Sequence, residues 1–254
     1  MPHFTSDGIP LAYDDIPAGA GARTVVLVHG FASNRHENWR RLGWYGAFER
    51  KGIRVLALDC RGHGDSAKPH DPAAYSRAAM TGDILALLDH AGVARADLLG
   101  YSMGARLALA AGLAYPERFS HLVAGGIGGR LLALREPTQS LADAMAADDP
   151  AAISDPLSRS FRQFADEQGE DRLALAAIAR ARFEPFTAET LSGLLVPTLI
   201  VAGARDALAG DPHELAQAIP GARGVTLPGC DHFSAIPHAL FKASVFDFFD
   251  DALE

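Results

Sequence analysis

Short, continuous apolar runs alternate with longer helical segments along most of this chain, and that alternation limits its possible folds more than any other feature. Thr24-Val25-Val26-Leu27-Val28 is β-branched and carries no polar residue at every second place. That is the pattern of a strand buried on both faces. Similar runs recur at 53–58, 97–99, 121–124, 197–202 and 224–227. Between them, helical patterns cover 37–51, 77–91, 105–115, 212–218 and 237–252, with Gly52, Gly92 and Pro116 as stops. Near the start, Ser6-Asp7-Gly8 between short extended segments predicts a hairpin. Strands alternating with helices predict an α/β fold, a mostly parallel sheet with helices on both faces.

One stretch breaks the rhythm. Residues 125–129 are rich in glycine and predict a flexible lead, after which 130–190 is helical and polar with no good strand candidate. The expected division is a core domain of residues 1–129 and 191–254, with 130–190 inserted as a helical lid after the strand ending near Ala124. Such an insertion would lie over the carboxyl ends of the strands, where open α/β sheets place their ligands. The 254 residues suit one large domain, and 48% hydrophobic against 21% charged residues is enough for a full core. The net charge is −8, and 130–190 holds 7 basic against 11 acidic residues, half of that excess. An acidic chain without a long basic run predicts no nucleic-acid partner and no anionic membrane surface. Two cysteines, Cys60 and Cys230, exclude a disulfide scaffold. Met1-Pro2-His3-Phe4 has neither a basic nor an apolar leader pattern, and no apolar run reaches membrane-spanning length, so a cytoplasmic location is expected.

The chemistry concentrates at Gly100-Tyr101-Ser102-Met103-Gly104, a G-x-S-x-G pattern. A buried-type strand leads in and a helix leads out, the context of a nucleophile elbow. The flanking glycines are needed because a Cβ at either place would meet neighbouring backbone. The turn sets the Ser102 hydroxyl at a helix N-terminus, which favours a developing oxyanion. A serine needs a base, and His232 follows the last predicted strand in Cys230-Asp231-His232-Phe233. An acid must orient that base, and Asp206 follows the preceding strand in Gly203-Ala204-Arg205-Asp206. Asp231 is a rival, although neighbours in sequence rarely pair. The chain order Ser102, Asp206, His232 is that of the elbow class.

With these residues assembled, the sequence resembles the α/β-hydrolase-fold serine hydrolases of the single-domain, lidded type. The likeness extends from the opening hairpin to the last helix. His29-Gly30-Phe31 matches that family's oxyanion loop, and Asp59-Cys60-Arg61-Gly62-His63-Gly64-Asp65-Ser66 matches its D-x-R-G-x-G-x-S turn. Gly203 to Asp206 and Asp231-His232-Phe233 match its acid and base loops. The resemblance implies an eight-stranded sheet and an oxyanion hole made by the backbone N–H groups of Phe31 and Met103. It implies structural rather than reactive roles for His29, Asp59, Arg61 and His63. Phe31, Tyr101 and Phe233 are the expected pocket residues, core packing being the other reading for Tyr101. Family members with an aspartate nucleophile are excluded by Ser102, and those with the acid after the strand near Ala124 by Gly125 and Gly126.

The expected activity is hydrolysis of a carboxylic ester of a small or medium apolar molecule through an acyl-enzyme on Ser102. The same triad also serves perhydrolysis of the cofactor-free haloperoxidase type, thioester cleavage and C–C bond hydrolysis. A ligand receptor on the same fold is the non-enzymatic alternative. A third alternative makes the lid a protein-docking surface, through Asp148-Asp149 and the acidic run 167–171; the blander reading of those runs is solvated helix ends. No phosphate loop, dinucleotide fingerprint or zinc spacing is present, so no metal and no organic cofactor are expected. The partner expected is a small-molecule acyl substrate.

Overall fold

The computed structural model describes residues 2–133 and 139–250. β1 (His3–Ser6) and β2 (Ile9–Ile16) form an antiparallel hairpin through Asp7-Gly8, both with positive φ. The parallel strands are β3 (Thr24–Val28), β4 (Arg54–Leu58), β5 (Ala96–Tyr101), β6 (Phe119–Gly125), β7 (Thr198–Gly203) and β8 (Arg223–Leu227). They make one eight-stranded sheet in the order β1-β2-β4-β3-β5-β6-β7-β8, with β2 antiparallel to β4.

The unbroken apolar run of β3 has the expected consequence. Val26 and Val28 pack on one face of the sheet, and Val25 and Leu27 on the other, all four without solvent exposure. Each such side chain contributes about 1.5–3 kcal/mol by leaving water. One face is covered by α2 (Arg77–His90) and α3 (Met103–Ala114). The other is covered by α1 (Trp44–Arg50) and, after β8, by α9 (Ala239–Phe249). Residues 251 and 252 of the helix expected over 237–252 lie outside the described residues.

The segment 37–51, expected as one helix, is two pieces. A π-turn spans His36–Arg40, and α1 begins only after Gly43, whose φ of 75° ends the first piece. The reason is packing. Trp39 and Trp44 both enter the core and meet edge to face at 5.7 Å, which one regular helix would not allow them to do at that spacing.

Residues 125–129 are not a loose lead. Gly125, Gly126, Gly128 and Gly129 are buried, Gly126 N–H donates to the Val201 carbonyl at 2.8 Å, and Gly129 N–H donates to that of Asp211 at 2.8 Å. The chain then enters α4 (Gln139–Ala146), α5 (Pro156–Gln168), α6 (Arg172–Arg180) and α7 (Ala188–Leu191), with no strand among the described residues of 130–190. Residues 134–138 of that segment lie outside the described residues. α5 starts on Asp155, whose carboxylate accepts from Ser158 N–H at 2.7 Å, and stops at Gly169 in the left-handed region. The acidic run 167–171 is only partly solvated. Glu170 is buried and joins the end of α5 to the loops after β3 and β4, accepting from Asn34 Nδ2 at 3.0 Å and Gly64 N–H at 2.9 Å. Asp171 caps α6 and meets His70 at 3.0 Å. Among the described residues, no helix is long and apolar enough to cross a membrane.

α2 connects β4 to β5 across β3, and α8 (Pro212–Gln217) connects the neighbouring strands β7 and β8. The turn after β4 is bolted to α2 by Arg61, which forms a two-pronged pair with Asp83 at 2.6 and 2.7 Å and donates to the Ala74 carbonyl at 2.7 Å. Both side chains are almost fully buried. Burial pushes the Asp83 carboxyl up, against the opposing pull of Arg61. Replacing Arg61 by Met leaves that carboxylate uncompensated and is expected to lower the stability read from urea unfolding by about 3 kcal/mol. Adding Asp83→Leu is expected to restore much of the loss, and a double variant no more stable than the single one contradicts this account.

Candidate active site

Ser102 stands between β5 and α3 with φ 52° and ψ −107°, a conformation that costs a non-glycine residue about 1–3 kcal/mol. Close backbone approach holds it there. A Cβ on Gly104 would collide with the carbonyls of Val28 and His29, and one on Gly100 with the backbone of Gly104 and Ala105. Ser102 N–H donates to the Gly125 carbonyl at 2.8 Å, which ties the turn to β6. The hydroxyl is thereby lifted off the carboxyl edge of the sheet.

Two later strands deliver the other expected residues to the same place. His232, after β8, sets Nε2 3.0 Å from Ser102 Oγ. Asp206, after β7, sets Oδ2 2.8 Å from His232 Nδ1. The remaining Asp206 oxygen accepts from Leu208 and Ala209 N–H, each at 3.0 Å, so the buried carboxylate is aimed by its own loop. The rival Asp231 is turned elsewhere. Its carboxylate accepts from Ser234 N–H at 2.8 Å, Ser234 Oγ at 2.7 Å and Phe233 N–H at 3.1 Å, and these bonds hold its pKa below the usual carboxylate range. Tyr101 is buried, and its hydroxyl donates to the His232 carbonyl at 2.5 Å, so it both lines the site and fixes the base loop. Burial, with Asp206 and Asp231 near, pushes that phenol well up and keeps it a donor. Cys60 and Cys230 are buried free thiols, and burial raises that of Cys60.

The loop after β3 faces Ser102 from the other side. Met103 N–H is the first of α3 and has no intrahelical acceptor. No partner for the Phe31 N–H appears among the described residues. The loop is held by two buried imidazoles. His29 Nδ1–H donates to the Gly30 carbonyl at 2.8 Å, and its Nε2 accepts from Cys60 N–H at 3.0 Å. His63 Nδ1–H donates to the Arg61 carbonyl at 3.2 Å, and its Nε2 accepts from Ala32 N–H at 3.2 Å. Each ring uses one nitrogen as donor and the other as acceptor, which requires the neutral form. Ala32, like Ser102, has a positive φ, 59°. Below this layer, Asp59 accepts from Arg35 N–H at 2.7 Å and Asp65 N–H at 2.8 Å and pairs with the Arg35 guanidinium. His29, Asp59, Arg61 and His63 therefore sit as turn-holding groups.

Phe31 and Phe233 also sit where the pocket was expected. The cavity beside Ser102 has about 30 Å³ of free space and is bounded by Phe31, Tyr101, His232 and Phe233. Phe161 and Phe164 of α5 close it from above, at 5.9 Å from Phe31 and 5.8 Å from Phe233, ring centre to ring centre. Phe233 is 45% exposed and forms the outer edge. Sequence reasoning missed Phe161, Phe164, Ser33, Asn38 and Ile236 as lining residues. Phe161 and Phe164 had a signal, three residues apart on one face of a strongly amphipathic segment. For the others there was none, because the broken helix at 36–43 decides where Asn38 points.

An eight-stranded sheet in this order, with a strained serine at the turn after β5, defines the α/β-hydrolase class. The chain belongs to the alpha/beta hydrolase fold family, whose model matches residues 23–154. It is 33% identical over 231 residues to the dihydrolipoyllysine-residue acetyltransferase component of the acetoin cleaving system of Pseudomonas putida, covering 84% of this chain and 60% of that one. It is 35% identical over 148 residues to a 2-hydroxy-6-oxononadienedioate/2-hydroxy-6-oxononatrienedioate hydrolase of Burkholderia vietnamiensis, covering 55% and 49%. Both matches thus span less than two thirds of the relative. Among solved structures, the enol-lactonase of Burkholderia xenovorans LB400 aligns with a TM-score of 0.82 and 27% identity, covering 98% of this chain and all of that one.

The two loop histidines make a pH prediction. Burial lowers the pKa of His29, Arg35 adding to it against Asp59, and burial lowers that of His63 well below 6.5, with His29 adding to it. A lowered imidazole binds its proton better in the unfolded chain, so its contribution is present above 6.5 and is lost as pH falls. Between pH 6.5 and 5, stability is expected to fall with a limiting slope of about 1.4 kcal/mol per pH unit for each ring. His63→Gln should remove one ring's share of that slope in urea titrations. An unchanged slope means that His63 is charged in the fold.

Proposed function

We propose that this protein is a serine hydrolase that cleaves a carboxylic ester of a small or medium apolar molecule through an acyl-enzyme on Ser102. The observation that carries the reading is the unbroken line Ser102 Oγ, His232, Asp206, with contacts of 3.0 and 2.8 Å, at a strained strand-to-helix turn. His232 Nε2 takes the hydroxyl proton as Oγ attacks the carbonyl carbon. The negative charge that develops on the carbonyl oxygen is met by the N–H groups of Phe31 and Met103. His232 then hands the proton to the leaving alkoxide, which departs as the alcohol. Water, deprotonated by the same imidazole, attacks the acyl-enzyme and releases the acid. Asp206 orients the ring through Nδ1 and balances the imidazolium, and Leu208 and Ala209 N–H, both on Oδ1, aim its Oδ2 at that nitrogen.

The lining supports an uncharged substrate. Phe31, Phe161, Phe164, Phe233 and Ile236 supply the walls, and no Lys or Arg is among the lining residues described. The dienedioate hydrolases act, by name, on a molecule with two carboxylates, for which a cation in the pocket would be the ordinary partner. A lactone, the substrate class named for the structurally similar enol-lactonase, is an ester closed on itself and asks for the same chemistry. The segment 130–190 serves in this reading as the lid of a core made of 1–129 and 191–254. With about 30 Å³ free, Phe161, Phe164 and Phe233 must part for a substrate to enter.

Ser102→Ala is expected to abolish turnover of p-nitrophenyl butanoate and labelling by a fluorophosphonate, with the circular dichroism spectrum unchanged. Retained turnover would sink the assignment. Asp206→Asn is expected to lower kcat by about 10⁴ through the wrong imidazole tautomer. If Asp231→Asn has that effect instead, the acid is Asp231.

A further inference from the structure

Asn38 is a buried amide in the wall of the cavity beside Ser102, only 3% exposed, and it is half used. Its Oδ1 accepts from Gly30 N–H at 3.2 Å. An N–H can face only an oxygen, so this bond settles which way the amide is turned. Nδ2, with two hydrogens to donate, is buried and has no partner among the described residues. Buried amide donors are nearly always satisfied, and one left open beside a reactive serine points to a ligand acceptor. The side chain comes from the π-turn His36–Arg40, an irregularity that recurs at functional sites.

The position of Asn38 indicates which half of the substrate it meets. The leaving alcohol receives its proton from His232 Nε2, so the leaving group lies on the side of His232 and the half-exposed Phe233. The acyl chain takes the rest of the cavity, where Ser33 and Asn38 are buried lining residues. There, Asn38 Nδ2 is the amide donor without a partner in an otherwise mainly apolar wall.

We propose that Asn38 is a specificity-determining residue that donates a hydrogen bond from Nδ2 to an acceptor oxygen in the acyl chain of the substrate. The enzyme accordingly takes acyl groups that carry an ether, carbonyl or hydroxyl oxygen a few atoms from the scissile carbonyl in preference to plain alkyl chains. A site built to bond such an oxygen discriminates against the analogue that lacks it, because the buried donor is then left unpaired. The proposal rests on the ester-hydrolase reading and names the substrate class of the same site.

The test compares matched esters differing by one CH2-to-oxygen exchange. These are p-nitrophenyl butanoate against methoxyacetate, and pentanoate against 3-methoxypropanoate, each rate divided by that for hydroxide. The wild-type protein is expected to prefer the oxygen-containing member of at least one pair by roughly tenfold or more in kcat/KM. Asn38→Asp keeps an oxygen for Gly30 N–H and removes the donor, and Asn38→Ala removes both. Each should bring the preference down to about one or below it. A wild-type ratio near one for both pairs overturns the proposal without any variant, as does a preference that survives in either variant. Ser102-dependent turnover of the alkyl esters with no preference overturns the role of Asn38 alone. No Ser102-dependent turnover of any of the four esters overturns the hydrolase reading and this proposal together.

Discussion

The fold and the site both hang on one steric event, the near-contact of α3 with the ends of β3 and β5. Gly104 lies against the carbonyls of Val28 and His29, and Gly100 lies against Gly104. No side chain fits in either gap. That closeness forces the chain from strand to helix within one residue and leaves Ser102 at φ 52°. The strain persists because the sheet around it is rigid. β5 is paired on both sides, with β3 and β6, and its residues are buried along its whole length. A softer surrounding would let the turn relax and would withdraw the hydroxyl from its place 3.0 Å from His232.

The partners of Ser102 are held by a second principle, the satisfaction of buried polar groups. Asp206 is aimed by two backbone N–H groups, His232 is anchored through its carbonyl by Tyr101, and the loop 29–32 is tied down by two imidazoles. Each bond alone is worth about 1 kcal/mol, but leaving any of these groups unpaired in the interior costs more than the bond provides. The constraint is therefore stiff in the direction that matters. Arg35 extends the scheme. Burial would lower its guanidinium pKa, yet Asp59, Asp14 and Asp65 outweigh that and raise it, so a single cation gathers the turn after β4 and the segment before the π-turn.

The helical segment between β6 and β7 is attached by different physics. Its contacts over the site are aromatic, Phe161 edge to face with Phe31 and both Phe161 and Phe164 tilted against Phe233, with no hydrogen bond among them. Its anchors lie to one side, at Glu170 on Asn34 and Gly64 and at Asp171 on His70. Burial raises the Glu170 pKa, in spite of the hydrogen bonds from Asn34 and Gly64 that oppose it.

The sequence by itself determined the sheet, the class of fold and the choice of Ser102, Asp206 and His232 as residues to meet, which the structure brings within hydrogen-bonding distance. Short apolar runs without alternation, set between helical segments, read as doubly buried strands, as β3 and β5 are, and glycines two places either side of a serine between strand and helix favour one turn geometry. Those are local rules, and they survive translation into three dimensions. Tertiary structure alone decided what depends on contacts between distant segments. It broke the expected helix at 37–51 so that Trp39 and Trp44 could share a core, and in doing so turned Asn38 toward the site. It packed 125–129 tightly where composition suggested slack. It also fixed how each carboxylate is aimed, Asp206 by loop bonds from Leu208 and Ala209 and Asp231 by those from Ser234.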